Sequence, residues 1–205
     1  MTSPEKLYLV YHDPGDPRGI DLIDEIARKV EKLSGVKVYT IKISVVEELD
    51  TPFEESSMVY ALLAFRGGHL ATTIEKADAS RACYIGKLPV ELIAGGIAKQ
   101  LRGCDSILIV YRKAKRFTEE QSQDLKILSE QLSKLTGARV RISHVINSDD
   151  SDQCIVVTTL MPGRISTKAL EAYDNRVKIP HLLPTITEDI ILDILERIRY
   201  GCVSR

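Results

Sequence analysis

The chain has 205 residues, 44% of them hydrophobic, a length that suits one large domain or two small ones around a sizeable core. Its formal net charge of -1 lacks the basic excess of a general nucleic-acid binder, so no nucleic-acid partner is expected. No apolar run reaches bilayer-spanning length, and the opening Met1-Thr2-Ser3-Pro4-Glu5-Lys6 is not a signal peptide; no membrane partner and a cytoplasmic location are expected.

The first strand is predicted over residues 7–11, an uninterrupted apolar run. A helix follows, with Ile20, Ile23, Ile26, Val30 and Leu33 at spacings of three and four, which places them on one face. Gly35 stops it, since glycine accepts the left-handed cap conformation. A second strand is predicted over 36–44, then an acidic connection over 45–57, then an apolar run from Met58 into the turn Arg66-Gly67-Gly68-His69. Leu88-Pro89 leads into an amphipathic helix over 90–102. After Gly103-Cys104-Asp105 the pattern starts again. A strand is predicted over 106–111, a helix with Leu125, Leu128, Leu132 and Leu135 on one face, a stop at Gly137 and a strand over 138–145 that contains His144. Thr118 with Gln121, and Thr185 with Glu188, have capping-box spacing. The last helix is predicted over 186–199.

The two halves therefore read as one unit repeated. The first strands match at an offset of 100 residues, and residues 58–70 match 153–165 at an offset of 95, as do Leu88-Pro89 and Leu183-Pro184. Near-continuous apolar strands alternating with helices indicate parallel sheets covered on both faces. The expected fold is α/β, with two similar lobes over 1–103 and 104–205. Cys83, Cys104, Cys154 and Cys202 form no C-x-x-C pair, and their spacing suggests buried thiols in a reducing cytosol. The absence of Trp, with abundant Lys, Glu and Ile, hints at a thermophilic source.

His12 and His69 end the two apolar runs of the first half, and the repeat places Arg112 and Arg164 at their counterparts. In parallel α/β sheets ligands sit beyond the carboxyl ends of the strands, where all four fall. Imidazoles in one copy and guanidinium groups in the other suggest a metal or proton-transfer site facing an anion site. Asp13, Asp16, Glu47 and Glu48 are carboxylates that suit a completing ligand or proton acceptor, and the residues alone do not choose among them. Arg66 is a further anion-binding candidate. The run Tyr111-Arg112-Lys113-Ala114-Lys115-Arg116-Phe117 reads as a solvated loop apart from Arg112. His144 reads as structural and His181 as a loop residue. The stretch from Asp13 to Gly19 lacks the lysine and the glycine spacing of a phosphate loop.

This arrangement resembles the tetrapyrrole chelatases that insert metal without ATP, the sirohydrochlorin cobaltochelatase and ferrochelatase group with the class II chelatase fold. The likeness covers essentially the whole chain. It rests on Tyr11-His12-Asp13-Pro14-Gly15-Asp16-Pro17-Arg18-Gly19 after the first strand and on Arg66-Gly67-Gly68-His69-Leu70 after the later one. The histidine pair in one half of a duplicated chain resembles the long, two-repeat members. Departures are Tyr11-His12-Asp13-Pro14 where the family has Gly-His-Gly-Ser, and Lys87 where it has a histidine before the last helix of the lobe.

The resemblance implies His12 and His69 as metal-binding and catalytic residues. It implies Arg112, Arg164 and Arg66 as substrate-binding residues facing tetrapyrrole carboxylates. A divalent metal, cobalt, iron or nickel, is then the substrate, with no organic cofactor; the other partner is the tetrapyrrole, and a homodimer is left open. Alternatives are a non-catalytic chelatase-fold protein that binds a metal or an anionic ligand, and a two-lobed sensor of a small anion.

Overall fold

The computed structural model describes residues 6–13, 17–147, 150–162 and 164–201. Asp16, Gly163 and Cys202 lie outside the described residues. The first half contains β1 (Lys6–Tyr11), α1 (Pro17–Ser34), β2 (Lys37–Lys42), α2 (Ile43–Glu48), β3 (Met58–Leu62), α3 (Gly68–Ala79), β4 (Cys83–Lys87) and α4 (Val90–Gln100). The second contains β5 (Ser106–Val110), α5 (Thr118–Thr136), β6 (Arg139–Ser143), β7 (Cys154–Val157), α6 (Arg164–Tyr173), β8 (Val177–Ile179) and α7 (Leu183–Tyr200).

Each half builds its own parallel sheet, with strand orders β2-β1-β3-β4 and β6-β5-β7-β8. The central strands are covered on both faces, which is why they read as unbroken apolar runs. Leu7 and Leu9 face Ile23, Ile26 and Val30 of α1, while Val10 faces Ile43, Val46 and Ala77 on the other side. The repeat extends to single hydrogen bonds. Gly35 and Gly137 both have φ +73° and donate to Glu31 O and Ser133 O at 2.9 Å. One residue earlier, Ser34 and Thr136 return their hydroxyls to Val30 O and Leu132 O at 2.7 Å.

Register corrects the alignment of the repeats. Leu7 pairs with Met58, and Ile107 with Cys154, so β3 and β7 match at an offset of 96 residues rather than 95. The buried residues Leu70, Thr73 and Ala77 of α3 and Ser166, Ala169 and Tyr173 of α6 keep that offset. Arg164 is therefore the counterpart of Gly68, and His69 corresponds to Ile165. The Leu-Pro pairs are not equivalent either. Leu88-Pro89 precedes α4, whereas Leu183-Pro184 lies in the first turn of α7, and the buried Val90, Ile93 and Ile97 match Leu183, Ile186 and Ile190 at an offset of 93.

Several local expectations also change. The strand expected to reach Ser44 ends at Lys42, and α2 takes over; β6 ends at Ser143, leaving His144 outside it with its ring edge-on to Tyr111 at 5.9 Å. Leu33 and Leu135, the last teeth of the two apolar combs, are 63% and 55% exposed. Neither capping box forms. Thr118 is already helical, and Gln121 instead receives the Ala114 N–H and donates to Arg112 O; Glu188 instead pairs with Lys29 at 2.9 Å. Among the described residues the cysteines are not thiols. Cys104 and Cys154 form a disulfide, and Cys83 is also disulfide-bonded. Cys104 and Cys154 are 50 residues apart in sequence, and the pairing of β5 with β7 brings them together. No local spacing rule detects a pair made by such a crossover.

The lobes share one core. A continuous apolar cluster runs from Leu7, Ile26 and Ile93 to Ile109, Leu128 and Ile190. The packing is reciprocal, with α4 lying on α5 of the other lobe, α7 lying on α1, and α4 and α7 crossing each other. At that crossing a Cβ on Gly96 would stand 2.2 Å from Ile186 Cγ2, so only glycine permits the approach.

Candidate metal centre

Residue 12 leaves the carboxyl end of β1, where the apolar strand meets solvent. Residue 69 is the second residue of α3 rather than a strand residue; the turn after β3 carries it to the same end of the sheet. The two imidazoles meet edge to face with ring centroids 5.2 Å apart, although 57 residues separate them in sequence. His69 Nδ1 lies 2.8 Å from Glu47 Oε1, and His12 Nδ1 lies 2.9 Å from Asp13 O. Both partners are acceptors only, so each Nδ1 must carry the proton when the ring is neutral. Each Nε2 is then the lone-pair nitrogen. A carboxylate or carbonyl behind the imidazole is the usual outer support of a metal-bound histidine and raises its basicity.

Of the carboxylates considered, Glu47 is placed on a histidine, because α2 packs on α3. Asp13 is held by Lys42 Nζ at 2.9 Å, and Glu48 is exposed. Among the described residues, no group of three or more His, Cys, Asp or Glu is arranged to hold a metal. The pair is open to solvent, with the His69 side chain 46% exposed.

The arginines behave differently from one another. Arg112 and Arg164 are exposed, at the carboxyl end of β5 and at the start of α6. A Cβ on Gly67 would stand 3.9 Å from Ala114 Cβ, so the loop that carries Arg112 lies against the turn that carries His69. Arg66 is engaged within the protein. Its Nε donates to Asp124 Oδ1 at 2.9 Å and its Nη2 to Gln123 Oε1 at 3.2 Å. Asp124 is a residue that composition and periodicity did not single out; the available signal was a carboxylate on the buried face of α5. Lys87, 3.6 Å from Asp124, has its ammonium held below the usual lysine range by burial, which the neighbouring carboxylate opposes.

On the other side of the interface, an open cavity of about 460 Å³ separates α1 from the strand-end loops of the second lobe. Arg18, Leu22, Glu25 and Arg28 line one wall, and Pro162 and His181 the other. His181, expected to be a plain loop residue, thus faces a cavity between the lobes.

Comparison with known proteins separates fold from sequence. No family model matches the chain, and no curated protein matches it. Among solved structures, CbiX, described as the terminal enzyme for biosynthesis of sirohaem in denitrifying bacteria, aligns with a TM-score of 0.66 over 96% of this chain and 98% of its own. The chain has the class II chelatase fold. Its sequence is 16% identical to CbiX, so the chelatase fold is shared over its full span while the side chains have largely diverged. Within the chelatase fold, the paired imidazoles lie at one lobe's strand carboxyl ends, and the exposed arginines on the other.

Proposed function

We propose that the protein inserts a divalent metal, cobalt or ferrous iron, into sirohydrochlorin without ATP, in cobalamin or sirohaem biosynthesis. The observation that carries this reading is the pair of imidazoles at 5.2 Å with both Nδ1 atoms committed to acceptors. Two neutral Nε2 donors suit cobalt, nickel and ferrous iron, and two ligands hold a metal more loosely than the four of a structural site. Loose holding is what a donor site needs. The fold shared with CbiX supports the reading.

The proton balance also fits. As the metal passes to the macrocycle, two pyrrole N–H protons must leave. Each imidazole that gives up the metal regains a lone pair on Nε2 and can take one of them. Glu47, behind His69, keeps accepting the Nδ1–H bond while Nε2 takes its proton. Arg112 and Arg164 are assigned to the carboxylates of the macrocycle, which guanidinium groups bind through paired hydrogen bonds.

A second reading is a non-catalytic chelatase-fold protein that binds a metal or an anionic ligand. Two imidazoles without a third donor among the described residues also make a weak binding site. Sirohydrochlorin mixed with cobalt and the protein, followed by the visible absorption of the macrocycle, separates the two. Insertion faster than the spontaneous reaction supports the enzyme; binding without acceleration supports the second reading. We place the protein in a thermophile's cytosol, a reducing compartment in which structural disulfides nonetheless occur. Among the described residues, no helix is long and apolar enough to cross a membrane.

A further inference from the structure

We propose that Asp124, in the second lobe, is a positioning residue for His69 in the first. The inference rests on the reading of His12 and His69 as metal donors. Asp124 is 4% exposed, and its Oδ2 accepts the backbone N–H of Arg66 at 2.7 Å while its Oδ1 accepts Arg66 Nε at 2.9 Å. A carboxylate that grips both the main chain and the side chain of one residue fixes its orientation as well as its charge. The held residue stands three positions before His69, in the turn that opens α3. The carbonyl of Gly67 accepts the N–H groups of Leu70 and Ala71, both at 3.1 Å, which opens α3 around His69. Thr73 Oγ1 then donates to the His69 carbonyl at 2.8 Å.

The internal repeat supplies a comparison within the same molecule. At the offset of 96 set by strand register, Arg66 corresponds to Pro162. At the offset of 102 shared by Gly35 and Gly137, Asp124 corresponds to Leu22. Leu22 and Pro162 line opposite walls of the open cavity. The same crossing of turn and helix therefore occurs twice, with an ion pair at the two positions beside His69 and the apolar Leu22 and Pro162 at the equivalent positions beside α6, which carries Ile165 where His69 would be. The second crossing forms without an Arg–Asp pair at the equivalent positions. An ion pair whose arginine is 36% exposed is in any case weak evidence for stability. The clamped copy carries two groups that its sister lacks, Lys87, 3.6 Å from Asp124, and His69, and only a role toward His69 reaches the imidazole tautomer.

The test compares the parent with Arg66→Met/Asp124→Leu, which replaces the ion pair with apolar side chains, as at the equivalent Pro162 and Leu22. Three measurements are made: thermal midpoint, affinity for cobaltous ion alone, and the imidazole nitrogen NMR signals that report the Nδ1–H tautomer of His69. The expected result is a variant that folds cooperatively, binds cobalt at least about tenfold more weakly, in the range for loss of an outer support, and loses the single His69 tautomer. Lys29→Ala, which removes the Lys29–Glu188 pair between α1 and α7, should change neither cobalt affinity nor the tautomer. Parent-like cobalt affinity and tautomer in the double variant overturn the proposal, as does weakened binding with an unchanged His69 signal. If the double variant does not fold, Asp124→Asn is read by the same two signals and by the same criteria. If the parent itself does not bind cobalt, the metal-donor reading fails, and the His69 tautomer alone decides whether the clamp positions it.

Discussion

His69 and His12 differ in what stands behind them, and this sets unequal expectations for nearby substitutions. Replacing either imidazole with alanine should abolish metal transfer while leaving tetrapyrrole binding near the parent value. Glu47→Gln keeps an acceptor for Nδ1–H but removes the charge. With both side chains nearly half exposed, its expected effect lies at the lower end for an outer support, about tenfold in cobalt affinity by titration. Arg112→Ala and Arg164→Ala should each weaken sirohydrochlorin binding by no more than about fivefold, the scale of a solvent-exposed ion pair, with cobalt affinity unchanged. Parent-like tetrapyrrole affinity in both would make the second lobe's arginines solvated surface. The histidines stood out in the sequence because they close the two apolar segments of the first half, one of them through a glycine turn, at places that match the chelatase pattern. Glu47 was not separable from Glu48, because the choice depends on which way the short α2 turns its side chains. Asp124 was hidden because its partner is a backbone N–H 58 residues away, and no side-chain pattern announces a main-chain donor.

At the scale of elements, the sequence located the central strands, the long helices and their glycine stops, since each rests on periodicity or on a single conformational demand. It left out α3 and α6, whose small and polar residues carry little apolar stripe, and the short β4 and β8. It also slipped the β3–β7 match by one residue. Apolar runs look alike under a one-residue shift, but the shift would exchange the two faces of the strand, and only pairing with β1 and β5 resolves it. The α4–α7 crossing gives a sharp test. Gly96→Ala places a methyl group against the buried Ile186, with an expected loss of about 1–3 kcal/mol of stability, measured by urea denaturation. The β6–β7 connection gives another. Arg141 holds the Asp150 carboxyl below its usual range, with a hydrogen bond from Tyr173 assisting and burial opposing. A carboxylate depressed in the folded state stabilises above its unfolded value, here 3.8, and that contribution is lost as pH falls through the folded value. The difference in thermal midpoint between the parent and Arg141→Met should therefore be largest near neutrality and shrink below about pH 4.

Across the whole molecule, the disulfide and the shared core govern cooperativity. The Cys104–Cys154 bridge spans 50 residues, and a loop of that length constrains the unfolded chain by about 4 kcal/mol. Cys104→Ala/Cys154→Ala should lower the urea midpoint accordingly, with the two lobes still unfolding in one transition. Two transitions would show that the continuous apolar cluster does not couple them. The reciprocal packing of α4 on α5 and α7 on α1 has a consequence for synthesis. Residues emerge from the ribosome in order, at about 5–20 per second. The first sheet can pair its strands early, yet the apolar side of α1 that meets α7 stays wet until Leu183–Tyr200 has been made. A nascent chain halted just before that helix should therefore be sensitive to protease and prone to bind chaperones. Resistance should appear in both lobes together once the last turn clears the exit tunnel.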